Sequence, residues 1–117
     1  MDEDELKRRT KRFALQVMAL VGSLPITTVG RAIGGQLVRS GTSVGANYRA
    51  ACRGRSKAEF SAKLGTVEEE ADESGYWMEL IIEGKLMKEE RVLPLLREAN
   101  EIAAIMAASR KTMARRR

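Results

Sequence analysis

The stretch VGRAIGGQLVRSGTSVGANYRAACR, residues 29–53, decides the fold. Ile33, Leu37, Val44, Tyr48 and Ala51 recur at three-, four- and seven-residue steps, which aligns them on one face of a helix. Ser40 and Gly41 fill the gap in that face. Gly34, Gly35, Gly41 and Gly45 each cost a helix interior about 1 kcal/mol against Ala. A helix that keeps four of them has a close neighbour, because small side chains let two backbones approach. The pattern predicts a tight helix–helix crossing around Ser40 to Gly45.

Reading toward the C-terminus, Gly54 ends this helix and Ser56-Lys57-Ala58-Glu59 forms a capping box for the next. That third helix is expected over about 57–83. Its seam is Phe60, Leu64, Val67, Ala71, Ser74, Trp77 or Met78, and Ile81, and Gly84 stops it. A fourth helix over about 90–114 carries Val92, Leu95, Leu96, Ala99, Ile102, Ala103, Met106 and Ser109, with Pro94 tolerated in its first turn. Toward the N-terminus, Leu6, Phe13, Val17, Leu20, Val21 and Leu24 mark a first helix over about 3–24. Asp2 to Glu5 sit at its positive end, where carboxylates are favoured. Pro25 and the Thr27-Thr28 pair break it, with Thr28 as the expected N-cap of the second helix. No segment alternates at the strand period. The short connections make neighbours antiparallel, so the fold class is all-α: an antiparallel up-down-up-down four-helix bundle in one domain, 1–117, with a basic tail over 110–117.

Composition narrows the chemistry. The 117 residues include no His, one Cys and five aromatics. Common zinc, haem and blue-copper sites cannot be built from this chain alone, nor can Ser-His-Asp or Cys-His catalysis. A single Cys forbids an internal disulfide, which fits a reducing compartment. The opening MDEDELKRRTKRF has no apolar signal segment, and no run approaches the ~20 residues that span a bilayer. The expectation is a cytoplasmic protein with no membrane association.

Charge is distributed in blocks. Residues 1–57 carry 11 basic and 4 acidic groups, residues 68–90 carry 2 and 9, and residues 91–117 carry 7 and 2. Such a split attracts an outside polyanion or pairs one segment with another. Within the acidic block, Glu68-Glu69-Glu70-Ala71-Asp72-Glu73 invites comparison with metal-binding bundles. Those use Glu-x-x-His, and this chain has no His, so no metal and no cofactor are predicted. The acids read instead as a solvated face or as partners for Arg. Arg39, Ser43 and Asn47 repeat every four residues beside the apolar face of the second helix. They form either a ligand-contacting stripe or an interhelical network with acids such as Glu69 and Glu73; the opposite charges of the two segments fit the network.

Three basic clusters remain: Lys7, Arg8, Arg9, Lys11 and Arg12; Arg49, Arg53, Arg55 and Lys57; and Arg110, Lys111, Arg115, Arg116 and Arg117. An up-down bundle gathers all three at one pole, which makes a phosphate-binding surface. Aromatic platforms are scarce, so contact with the backbone is favoured over base readout. Cys52 has no general base and no resolving Cys and reads as a packing residue. Gly30-x-x-x-Gly34 and Gly41-x-x-x-Gly45 follow no strand and are not phosphate loops.

Residues 36–48, QLVRSGTSVGANY, then Arg53-Gly54-Arg55-Ser56-Lys57-Ala58-Glu59-Phe60, Lys63-Leu64-Gly65 and Tyr76-Trp77, resemble the signature of a bacterial family. This is the four helix bundle protein family, also called the 23S rRNA intervening-sequence or S23 family. The similarity covers nearly the whole chain; where the family often carries Glu near the end of the motif, this chain has Ala50. The resemblance implies a small antiparallel bundle that assembles into a ring-like homo-oligomer, a pentamer, with no enzymatic activity. Some members are encoded inside insertions in large-subunit rRNA genes. A similar protein, the accessory variability protein of diversity-generating retroelements, implies RNA or DNA as a partner, and a reverse transcriptase where a retroelement is present. The combined expectation is a non-enzymatic homo-oligomer that binds nucleic acid, RNA foremost, through its basic surface. The alternative is a protein-interaction scaffold whose charges serve self-assembly alone.

Overall fold

Short polar side chains mark where each of the first three helices begins. In the computed structural model, which describes residues 1–115, the Asp2 carboxylate accepts from the Glu5 N–H at 2.8 Å, Thr27 Oγ1 from Gly30 N–H at 3.0 Å, and Ser56 Oγ from Glu59 N–H at 3.1 Å. These caps open α1 (Glu3–Gly22), α2 (Thr28–Cys52) and α3 (Lys57–Glu83); α4 runs Glu89–Arg115. Glu59 reaches back as a capping box requires, but its Oε2 accepts from Arg55 N–H, at 2.6 Å, one residue before the cap.

Two helix ends differ from expectation, while α3 runs over Lys57–Glu83 with Gly84 as its C-cap, as expected. α1 stops at Gly22, because the N–H groups of Ser23 and Leu24 turn back to Leu20 O and Val21 O. Leu24 stays buried although it has left the helix. The N-cap of α2 is Thr27, not Thr28: the extended backbone of Thr27 is what aims its hydroxyl at the first turn. At the end of α3, Leu86 N–H bonds Ile81 O and Lys85 N–H bonds Ile82 O, the paired bonds of a Schellman cap. Its left-handed residue is Lys85, with φ 58°, while Gly84 keeps a helical φ of −78°.

The helices form an antiparallel four-helix bundle 49 Å long and about 20 Å across. α2 packs against α1 and α3, α3 packs against α4, and α1 closes on α4 with a thinner seam. Phe13, Val17, Leu37, Val44, Leu64, Val67, Met78, Ile81, Val92, Ile102 and Met106 are buried at the centre. Of the two candidates for the α3 seam, Met78 takes the core. Trp77 is half-buried and donates its indole N–H to Glu73 Oε2 at 3.1 Å.

The crossing expected near Ser40 to Gly45 is two crossings. On one side Gly41 and Gly45 admit α1: a Cβ added to Gly41 would sit 2.8 Å from Val17 Cγ1, and one added to Gly45 would sit 3.3 Å from the backbone oxygen of Thr10. On the other side Ser40 admits α3, its Oγ 2.8 Å from Ser74 Oγ, and Ser74 donates to Glu70 O at 2.8 Å. Both serines and Thr10 are buried yet bonded; no buried side-chain polar atom among the described residues lacks a partner.

Candidate nucleic-acid interface

The antiparallel order puts the start of α1, the end of α2, the start of α3 and the end of α4 at one pole. There Lys7, Arg8 and Lys11 of α1 face Arg49 and Arg53 of α2 across a groove of about 470 Å3. Its floor is Ala14, Thr42, Gly45 and Ala46. The geometry follows from the sequence: Gly45 lets α1 approach, the floor residues are short, and the long cationic side chains rise as walls. Lys7 lies 3.6 Å from Glu3, an exposed pair that solvent weakens. Arg8, Lys11, Arg49 and Arg53 are exposed, and no carboxylate among the described residues pairs with them.

A second groove, of about 490 Å3, lies between α2 and α3 and is lined by Arg53, Arg55 and Lys63 with Ala50, Ala62 and Thr66. Lys57 borders a neighbouring recess with Glu3, Cys52 and Phe60. Lys63 belongs to none of the three basic clusters read along the chain, since it stands alone in the nearly neutral stretch 58–67; its place one turn beyond Glu59 on an outward face is the signal that locates it.

Other basic residues are turned elsewhere. Arg9 lies about 200° around α1 from Lys11, at 100° per residue. It donates from Nε to Glu98 Oε2 at 2.7 Å and from Nη2 to Glu98 Oε1 at 2.8 Å, with Glu101 2.9 Å away. These bonds, to Glu98 first, raise its pKa further above the ordinary arginine value, and its side chain is only 16% exposed. Arg9 therefore ties α1 to α4 and is not a free phosphate ligand. Arg12 lines that same α1–α4 cleft with Gln16 and Pro94, away from the basic groove. Arg110 lies across Gly65, where a Cβ would be 3.2 Å from its guanidinium carbon, and donates to Glu68 Oε1 at 3.1 Å. Lys111 and Arg115 are exposed on the last turns of α4. Arg116 and Arg117 lie outside the described residues.

The polar stripe on α2 resolves into one interhelical clasp and two local bonds. Arg39 Nη1 is 3.0 Å from Glu70 Oε2, and its Nη2 bonds Glu73. Glu69 is exposed and outside the network; one residue is about 100° of helix, enough to carry it past the seam. Ser43 Oγ donates to Arg39 O at 2.7 Å and Asn47 Nδ2 to Ser43 O at 2.9 Å, so both fold back on α2 instead of crossing to α3.

Cys52 is half-buried beside Tyr48, and burial pushes its thiol above the ordinary range, which disfavours the reactive thiolate. No group of three or more Cys, Asp or Glu placed to hold a metal occurs among the described residues. No helix there is long and apolar enough to cross a membrane.

Comparison with known proteins agrees with this architecture. The family model of the 23S rRNA-intervening sequence proteins matches residues 3–108. A crystal structure of a protein of unknown function from the S23 ribosomal protein family of Bacteroides thetaiotaomicron is 31% identical, with a TM-score of 0.85 over 91% of this chain and 98% of that one. No curated protein matches the chain.

Proposed function

The chain belongs to the 23S rRNA-intervening sequence protein family, and from that premise we propose that it is a non-enzymatic, homo-oligomeric protein that binds nucleic acid, RNA foremost, through its basic pole. The observation that carries this reading is the α1–α2 groove. Lys7, Arg8, Lys11, Arg49 and Arg53 converge on it from two helices, and among the described residues only Lys7 forms an ion pair with a carboxylate. Like charges brought together without internal counterions raise the local potential, and a polyphosphate relieves it while releasing its own counterions. Catalysis has no support in the groove, which holds cations and small side chains but no carboxylate, hydroxyl–base pair or thiolate.

Binding to RNA and DNA measured across about 50–200 mM salt tests the reading, and affinity should fall steeply over that range. A pure sample that retains neither polymer at low salt overturns it.

Self-association is supported by a different surface. Leu15, Met18, Ile26 and Val29 are 58%, 52%, 82% and 57% exposed. Met18, Ile26 and Val29 lie at or within about one turn of the α1–α2 turn, away from the basic groove, while Leu15 follows Ala14 of that groove's floor on α1. Beside them Gly22, Leu24, Pro25, Ile26, Gly34 and Gly35 border a shallow, largely apolar recess of about 290 Å3. A second copy that covered these side chains would remove apolar area from water at about 25 cal/mol per Å2. Assembly at this end leaves the cations free, which favours the nucleic-acid reading over a scaffold whose charges serve assembly alone. Met18→Asp combined with Ile26→Asp should lower the mass seen by light scattering toward that of one 13.0 kDa chain. An unchanged mass would remove this surface from the assembly.

A further inference from the structure

Arg53 lines both basic grooves. It is the C-cap of α2, so the α1–α2 groove and the α2–α3 groove meet at the end of that helix. Six cations without carboxylate partners among the described residues mark the joined surface: Arg8, Lys11, Arg49, Arg53, Arg55 and Lys63. The acid that borders it on α3, Glu59, is engaged with the Arg55 N–H at the start of that helix. The floor is Ala14, Gly45, Ala46, Ala50 and Ala62, and no aromatic side chain lines either groove. Tyr48 is 3% exposed, and the exposed Tyr76 stands thirteen residues beyond Lys63, about 20 Å along α3.

We infer that this surface takes a double-helical nucleic acid in preference to a single strand, one strand's phosphates crossing the end of α2 from the first groove into the second. The inference rests on the nucleic-acid reading above and sharpens its ligand. A single strand must be ordered as it binds, and proteins that hold one recover that loss by stacking bases on aromatic side chains, at about 1–3 kcal/mol per base. No aromatic ring lines these grooves; only arginine guanidinium planes could stack on a base, and those are the groups that meet the phosphates. A duplex arrives already ordered and presents its phosphates outward at fixed spacing. The cations that would meet them stand on or beside helix ends that capping and core packing hold in place.

Fluorescence anisotropy with a short RNA duplex, and with one of its strands chosen to lack internal pairing, tests the inference. The duplex should bind about tenfold tighter or better, the equivalent of one base left unstacked. Its log K against log salt should have a slope of about −5, from six phosphate contacts at −0.9 each. Lys11→Glu and Lys63→Glu, one in each groove, should each weaken duplex binding and flatten the slope by about 1 or more, while Lys88→Glu at the far pole leaves both unchanged. Circular dichroism checks that each variant is folded. A single strand that binds as tightly as the duplex overturns the inference and leaves nucleic-acid binding standing. Sensitivity at Lys11 but not at Lys63 overturns the path across α2. Failure of both RNAs to bind overturns the reading underneath, and this inference with it.

Discussion

Gly41→Ala should destabilise the chain by about 2–3 kcal/mol, the upper range for an extra methyl forced into a packed seam. The new Cβ would stand 2.8 and 2.9 Å from the two γ carbons of Val17 and 3.1 Å from its Cβ. Val17 cannot step aside, since it is fully buried and β-branched side chains have one preferred rotamer in a helix. The clash must be relieved by moving α1 away from α2, which loosens the packing of Gly45 on Thr10 as well. Val17→Ala alone should cost about 2–3 kcal/mol, from two buried methyl groups and the cavity they leave. Together the two changes should cost less than the sum of each alone, by about 1 kcal/mol or more, because the smaller side chain at 17 makes room for the one at 41. Gly35→Ala is the control. Nothing in the chain lies within 4 Å of a Cβ there, so within the subunit helix propensity alone acts. Stability should hold or rise by up to about 1 kcal/mol, read in the Met18→Asp, Ile26→Asp background so that the recess Gly35 borders stays uncovered. Urea unfolding at one protein concentration measures all four. Strict additivity at 17 and 41 would show that the two helices do not depend on this close approach.

Replacing Arg49, Arg53 and Arg55 together with Ala should flatten the salt dependence of nucleic-acid binding by about 3 units of log–log slope, one for each phosphate no longer neutralised, and weaken affinity most at low salt. The fold should survive. All three side chains are exposed and pair with no carboxylate among the described residues, and the bonds that residues 53 and 55 contribute to helix ends come from their backbone N–H groups, which Ala retains. Arg9→Ala makes the informative contrast. It leaves Glu98 and Glu101 without their cation in a part-buried cleft, so it should lower stability and leave the salt slope unchanged. A triple variant that binds with the parent's slope would move the site off this pole.

Much of the bundle could be read from local pattern. The three- and four-residue recurrence of Leu6 to Leu20, Leu37 to Ala51, Leu64 to Ile81 and Val92 to Met106 matches the buried faces, because a side chain's position around a helix depends only on its place in the chain. Capping was legible for the same reason, although the single step from Thr28 to Thr27 turned on backbone angles that residue type does not set. The candidate site was legible as a pole and not as a set of residues. Lys7, Arg8, Lys11, Arg49, Arg53 and Arg55 line its grooves, whereas Arg9 and Arg110, as basic as the others, are held by Glu98, Glu101 and Glu68.

The sequence by itself determined the four helices, their antiparallel order and the collection of positive charge at one end, since periodicity, caps and short turns are local quantities. Only the tertiary structure decided which charges face each other. That depends on how far each helix is rotated about its axis, which core packing sets through neighbours such as Gly41 with Val17 and Ser40 with Ser74. One residue is about 100° of rotation, so the same packing that puts Glu70 on Arg39 leaves Glu69 in solvent, and the same turn of α1 that hands Arg9 to α4 leaves Arg8 and Lys11 to the groove.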